Sequence, residues 1–85
     1  MKKDIFELYT WVYRGKQRRA IILVLDKPKT PTKIKEETKI KVTNVSDVLR
    51  AMEKKGLVKC LNPKDKLGRF YELTKVGKEV VIQFK

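Results

Sequence analysis

Residues 30–58, TPTKIKEETKIKVTNVSDVLRAMEKKGLV, limit what this chain can fold into more than any other stretch. Thr30 can accept hydrogen bonds from the free N–H groups that open a helix. Pro31 then fits the first helical position, where a missing N–H costs nothing. The pattern predicts a helix to about Thr38, a basic turn Lys39-Ile40-Lys41, and a second helix from about Asn44 to Lys55 with Thr43 as its cap. Lys54 and Lys55 suit the negative end of that helix, and Gly56 the left-handed position beyond it. Val45, Leu49 and Met52 form one stripe with Val48 on its flank, and Ile34 and Ile40 offer partners from the preceding helix and turn. The opposite stripe, Thr43, Asn44, Asp47, Arg50 and Lys54, is polar. A helix divided this way and held across another by a short turn can offer its polar stripe to a DNA groove.

After Gly56 the period changes from about four to two. Leu57 to Leu61 reads as a strand with Val58 and Cys60 on one face. Asn62-Pro63-Lys64-Asp65-Lys66-Leu67-Gly68 reads as a polar turn, and Arg69 to Leu73 as the returning strand with Tyr71 and Leu73 inward. Thr74 then caps a last helix carrying Val76, Val80, Val81 and Phe84, weakened by Gly77. Upstream, residues 4–14 are apolar around most of a short helix, although their aromatics and valine also suit a strand. Gly15 breaks that pattern. Lys16-Gln17-Arg18-Arg19 opens a further helix running through Leu25, expected to bury Ile21, Leu25 and one of Ile22 or Val24.

Thr30-Pro31, Ile34, the turn at Ile40, Val45-Ser46, Leu49, Met52, Gly56-Leu57-Val58, and then Gly68-Arg69, Tyr71 and Leu73-Thr74 carry a family likeness. The chain resembles the winged helix-turn-helix repressors, in particular the multiple-antibiotic-resistance and arsenical-resistance regulators and their small archaeal relatives. The likeness spans roughly residues 16–78. Lys35 and Thr38 depart from it, standing where such helices carry a small residue and a leucine, so Lys35 is expected to snorkel. The implied fold is α+β: a winged helix-turn-helix, with a three-helix core, a β-hairpin wing and additional N- and C-terminal helices. We read residues 1–85 as a single winged-helix DNA-binding domain, with an N-terminal helix (1–14), a core (16–74) and a C-terminal helix (75–85).

Charge names the class of partner. Twenty-two Lys and Arg stand against 10 Asp and Glu, for a net charge of +12. Residues 27–59 hold ten cations against four acids, the segments on either side six against three each, so the excess peaks over the two central helices. Such a domain seeks a polyanion, most commonly nucleic acid. The 38% of charged residues and the two Asn and two Gln also fit adaptation to heat, but that adds Glu along with Lys, and here the signs are unbalanced.

One cysteine and no histidine exclude a Cys/His zinc site and any His-based catalytic pair, so no enzyme, metal or cofactor is expected. Cys60 has no internal partner, which fits a reducing, cytoplasmic setting, and we read it as a small core residue. No apolar run approaches the ~20 residues of a membrane span, and the N-terminus is no signal peptide.

The residue chemistry assigns base readout to Asn44, Asp47 and Arg50, with Thr43 and Ser46 at the margin of a recognition helix at about 44–55. Asp47 has a second reading, orienting Arg50 or Lys54 one turn along. Candidate phosphate and wing contacts are Lys16, Arg18, Arg19, Lys33, Lys39, Lys41, Lys54, Lys64, Lys66 and Arg69, with Lys29 also near the backbone. Arg69, in a wing at 62–69, is the residue expected in a minor groove. The expected partner is double-stranded DNA. Ile5, Phe6, Leu8, Tyr9, Trp11, Val12 and Tyr13 point to a homodimer through the N-terminal helix, joined in one reading by the C-terminal helix. An architectural or RNA-binding protein, or a winged-helix interaction module, stays open on sequence alone.

Overall fold

A computed structural model describes residues 4–85. Asp4 opens α1 (Ile5–Arg14), its carboxylate accepting from the N–H of Phe6 at 2.9 Å and of Glu7 at 3.4 Å. Gly15 ends α1 and leads directly into α2 (Lys16–Val24). The helix was expected to include Leu25, but that residue leaves helical geometry at ψ 52 and packs into the core from the first position of the linker. Ile21 and Ile22 are both buried, Val24 only partly.

In α3 (Pro31–Thr38), Thr30 caps as expected, accepting from Lys33 N–H at 3.2 Å. Lys39 closes α3 in the left-handed conformation, φ 64. That sharp reversal lets the next helix begin within three residues. α4 (Val42–Lys54) therefore starts ahead of the expected Asn44, with Lys41 at its N-cap and the first bond from Val45 N–H to Lys41 O. Thr43 lies inside the helix and caps nothing. Val45, Leu49 and Met52 form the buried stripe. At the far end Gly56, φ 79, donates to Glu53 O at 3.0 Å, and Leu57 donates to Met52 O at 2.9 Å, which closes the helix with a Schellman pair.

The hairpin is shorter than the alternation implied: β1 (Val58–Cys60) pairs antiparallel with β2 (Tyr71–Leu73), Val58 opposite Leu73 and Cys60 opposite Tyr71. Val58 and Leu73 are buried, whereas Cys60 is half-buried where the hairpin leaves the domain, outside the core cluster. Thr74 then joins three elements. Its hydroxyl accepts from Gly77 N–H at 3.0 Å, capping α5 (Lys75–Ile82), and donates to Gly56 O at 2.6 Å. α1 packs on α2 and α5, α3 on α2 and α4, and the core runs between them through Val12, Ile21, Ile34, Val45, Leu49, Leu57 and Val80.

Two lysines differ from expectation. Lys35 stands exposed, so it has nothing to snorkel around. Lys29 is only 6% exposed and belongs to the fold, away from any phosphate. Its ammonium donates to Val24 O at 2.5 Å and Glu37 Oε1 at 2.6 Å, and pairs with Asp26 Oδ1 at 2.9 Å. Its backbone bridges Tyr71 in both directions, N–H to O at 3.0 Å and O to N–H at 2.9 Å, adding a third edge to the hairpin. The bond to Glu37, set against desolvation and helped by Asp26, holds the Lys29 ammonium above its ordinary value of 10.5. The bond from Lys29 holds Asp26 below 3.8.

The Lys29 contribution to stability is therefore complete below pH 10.5 and disappears as pH rises through the elevated folded value. The Asp26 contribution is present above pH 3.8 and is lost as pH falls through the depressed value. Lys29→Met should destabilise the domain by about 2–3 kcal/mol at neutral pH, because Glu37 and the Val24 carbonyl lose their buried partner. Urea titrations of both proteins should show the gap narrowing above pH 10.5. A gap that widens there would contradict the network.

Candidate nucleic-acid interface

The outer stripe of α4 follows from its inner one. With Val45, Leu49 and Met52 fully buried, helical spacing turns Thr43, Asp47 and Arg50 outward, all exposed, with Asn44 and Ser46 half-exposed beside them. Asp47 Oδ1 stands 3.8 Å from Arg50 Nη2, with both side chains about 70% exposed (72% and 69%). At that exposure the pair contributes little to stability, but it lies along the helix as the orienting reading requires.

Ser46 and Arg50 share a cleft with the start of α3 (Thr30, Pro31, Thr32) and with the wing tip, Lys66 to Arg69, while Tyr71 and Val42 complete its wall. Four of the expected residues, Ser46, Arg50, Lys66 and Arg69, thus converge on one groove. Lys39 and Lys41 stand exposed in the turn before α4, and Lys64 stands exposed on the wing. Lys33 is exposed on α3, 3.9 Å from Glu37. Lys54 is exposed in the last turn of α4. Lys16 is exposed on the other flank of α4, in a shallow cleft with Val48.

Arg18 and Arg19 do not join this face. Arg18 lies over the Trp11 ring at 4.1 Å and donates to Trp11 O at 2.8 Å. Arg19 stacks on Tyr13 at 5.1 Å and donates to Tyr13 O. Both carbonyls belong to the last turn of α1, which has no intrahelical donors of its own. The two arginines therefore satisfy and charge-stabilise the end of α1 instead of facing outward. Gly15 makes room for this, since a Cβ there would meet the Arg18 side chain at 2.5 Å.

Arg69 lines the cleft but is tethered within the wing. Its Nε donates to Asp65 O at 2.5 Å, so the guanidinium folds back over the wing loop. Asn62 organises that loop. Its Oδ1 accepts from Phe70 N–H at 2.8 Å, and its Nδ2 donates to Asp65 Oδ2 at 2.8 Å and Gly68 O at 3.1 Å. Reading Asn62 only as a turn former missed this role; the Asn-Pro pair heading a polar loop was the available signal. Thr30, besides capping α3, and Thr32 also line this cleft, which residue type alone does not indicate.

Among the described residues no cluster of His, Cys, Asp or Glu could hold a metal ion, and no helix is long and apolar enough to cross a membrane. Three helices, a tight turn and a basic hairpin closed by Thr74 define a winged helix-turn-helix. The sequence pattern of the sugar-specific transcriptional regulator TrmB matches residues 21–75, more than half of the chain. The chain belongs to the TrmB family of transcriptional regulators, a winged-helix family of the type that the spacing resembled.

Among solved structures, TubR bound to 24 bp of tubC from Bacillus thuringiensis serovar israelensis pBtoxis has a TM-score of 0.81. It is 13% identical, over 99% of this chain and 95% of that one. MarR from E. coli, in its apo form, has a TM-score of 0.68 at 23% identity, over 93% of this chain and 62% of that one. These likenesses establish the fold alone. Compared with curated protein sequences, the chain has no match.

Proposed function

We propose that this chain binds double-stranded DNA sequence-specifically as a homodimer, with α4 in the major groove and the wing on the adjoining minor groove or backbone. Binding, and no catalysis, is the activity. One observation carries the reading: Ser46 and Arg50 of α4 open onto the same cleft as the basic wing tip, Lys66 to Arg69. TubR, of the same fold, is bound to DNA in its structure, which supports the same use here.

Arg50, Asn44 and Asp47 are the proposed base readers, with Thr43 and Ser46 beside them; Lys33, Lys39, Lys41, Lys64 and Lys66 are the proposed phosphate contacts. Lys16 and Lys54 remain peripheral contacts. Arg50→Ala should reduce affinity for a preferred site by ~1–3 kcal/mol and leave weak binding to unrelated DNA nearly unchanged. Gel retardation on both duplexes decides it. Equal losses would make Arg50 a phosphate contact, and a wild type that ranks all duplexes alike would favour the architectural reading. Tighter binding to structured RNA would favour an RNA partner, and no binding at low salt a protein-interaction module.

Few of the apolar residues of α1 are free to face a second copy. Leu8 and Val12 are buried in the domain's own core, and Trp11 lies between Arg18 and Lys55, 5.3 Å from the latter. What faces outward is Phe6, 73% exposed, and Tyr13, 47% exposed, beside a Tyr9–Phe84 ring contact at 4.7 Å that joins α1 to α5. A second copy seated there would place two α4 helices for half-sites about one DNA turn (~34 Å) apart. Because neither residue supports the core, the double variant Phe6→Glu, Tyr13→Glu should stay folded. It should sediment as a 10.0 kDa monomer where the wild type sediments as a dimer. A wild type that is itself monomeric at tens of micromolar would end the dimer reading.

A further inference from the structure

Leu67 is 90% exposed, more than any other large apolar side chain among the described residues, and it sits at the wing tip between Lys66 and Gly68. The loop that carries it is held in place: Asn62 bonds Gly68 O, Asp65 and the Phe70 N–H, and Gly68 turns the chain at φ 69. The usual candidate for groove insertion, Arg69, is turned back onto Asp65 O. The leading residues of the wing are therefore Lys66 and Leu67, and both line the cleft that Ser46 and Arg50 share. A leucine so exposed contributes nothing to the core.

We infer that Leu67 is an apolar wedge, entering the minor groove beside the site of α4 and partly unstacking one base step while Lys66 holds the adjacent phosphate. The inference rests on the DNA-binding reading above and adds to it a residue that reads deformability. Apolar side chains inserted between base steps kink the duplex, and the energy of doing so is lowest at flexible pyrimidine–purine steps. Leu67 would thus select sequence at a position where no hydrogen bond is made.

The test uses the full chain and 2-aminopurine, a base analogue whose emission is quenched by stacking, placed at successive positions of a duplex that the protein retards. Wild-type protein should raise the emission at one step in each half-site, on the wing side. Leu67→Ala should abolish that rise and weaken binding about tenfold, with the salt slope unchanged. Lys66→Ala should keep the rise and flatten the slope by about one per protomer. A wild-type complex that stays dark at every position, or a Leu67→Ala complex that keeps the rise, overturns the wedge and leaves DNA binding standing. Failure of the wild type to retard any duplex defeats both readings.

Discussion

Affinity for duplex DNA should fall by roughly 10³ to 10⁵ between about 50 and 200 mM salt. The structure supplies the cations that make it so. Lys39, Lys41, Lys64, Lys66 and Arg50 are all exposed on or beside the α4–wing face, and Lys33 is held only by a 3.9 Å contact to Glu37. Arg18, Arg19 and Lys29 add nothing to this face because their charges are engaged within the fold. A dimer that neutralises ~6–10 phosphates gives a slope of log K against log salt of about −5 to −9. Fluorescence anisotropy over a salt series measures it directly. A slope near zero would remove nucleic acid as the partner, since nothing else on this surface would supply the binding.

Gly77→Ala should destabilise the domain, although helix propensity alone predicts a gain of about 1 kcal/mol. An added Cβ would stand 2.1 Å from the Leu57 carbonyl oxygen and 3.2 Å from Leu73 Cδ2. Leu57 O cannot step aside easily, because it accepts from Thr74 N–H at 3.0 Å and takes the longer arm, 3.2 Å, of the Thr74 hydroxyl proton it shares with Gly56 O. The same hydroxyl caps α5 through Gly77 N–H, so helix and strand are tied at the point where they would have to separate. Relief requires α5 to lift from Leu57 and β2, withdrawing the fully buried Val80 from the core. We expect a net loss of about 2–4 kcal/mol, seen as a Tm lowered by roughly 10–25 °C in thermal unfolding followed by circular dichroism. A raised Tm would mean that the close approach of α5 to Leu57 is wrong.

Gly77 also shows where sequence reading reaches its limit. Read locally it is a weak point in a helix; in the fold it is the only residue type that lets Leu57 O approach. The central motif was legible because its signals are local: Thr30 and Pro31 open α3, the Val45, Leu49 and Met52 stripe orients α4, and Gly56 ends it. The start of α4 was missed because the left-handed turn at Lys39, a lysine, carries no glycine to announce it. Lys29, Arg18 and Arg19 read as free cations for a different reason. Nothing near them in sequence states that Glu37, Trp11 O and Tyr13 O lie within reach. The cleft residues Ser46, Arg50, Lys66 and Arg69 were chosen by residue type, and folding brings them together. The fold-back of Arg69 depends on a loop geometry set by Asn62, which residue type alone does not encode.

The most direct test of sequence-specific DNA binding is selection of bound duplexes from a random pool by the intact chain, at moderate salt. An inverted repeat should be enriched, with half-sites centred about 10 base pairs apart and a preferred flexible step on the wing side of each. Arg50→Ala should lose the preference at one position of each half-site while still recovering DNA. A recovered pool no different from the input, bound with equal affinity by wild type and Arg50→Ala, would contradict sequence-specific binding.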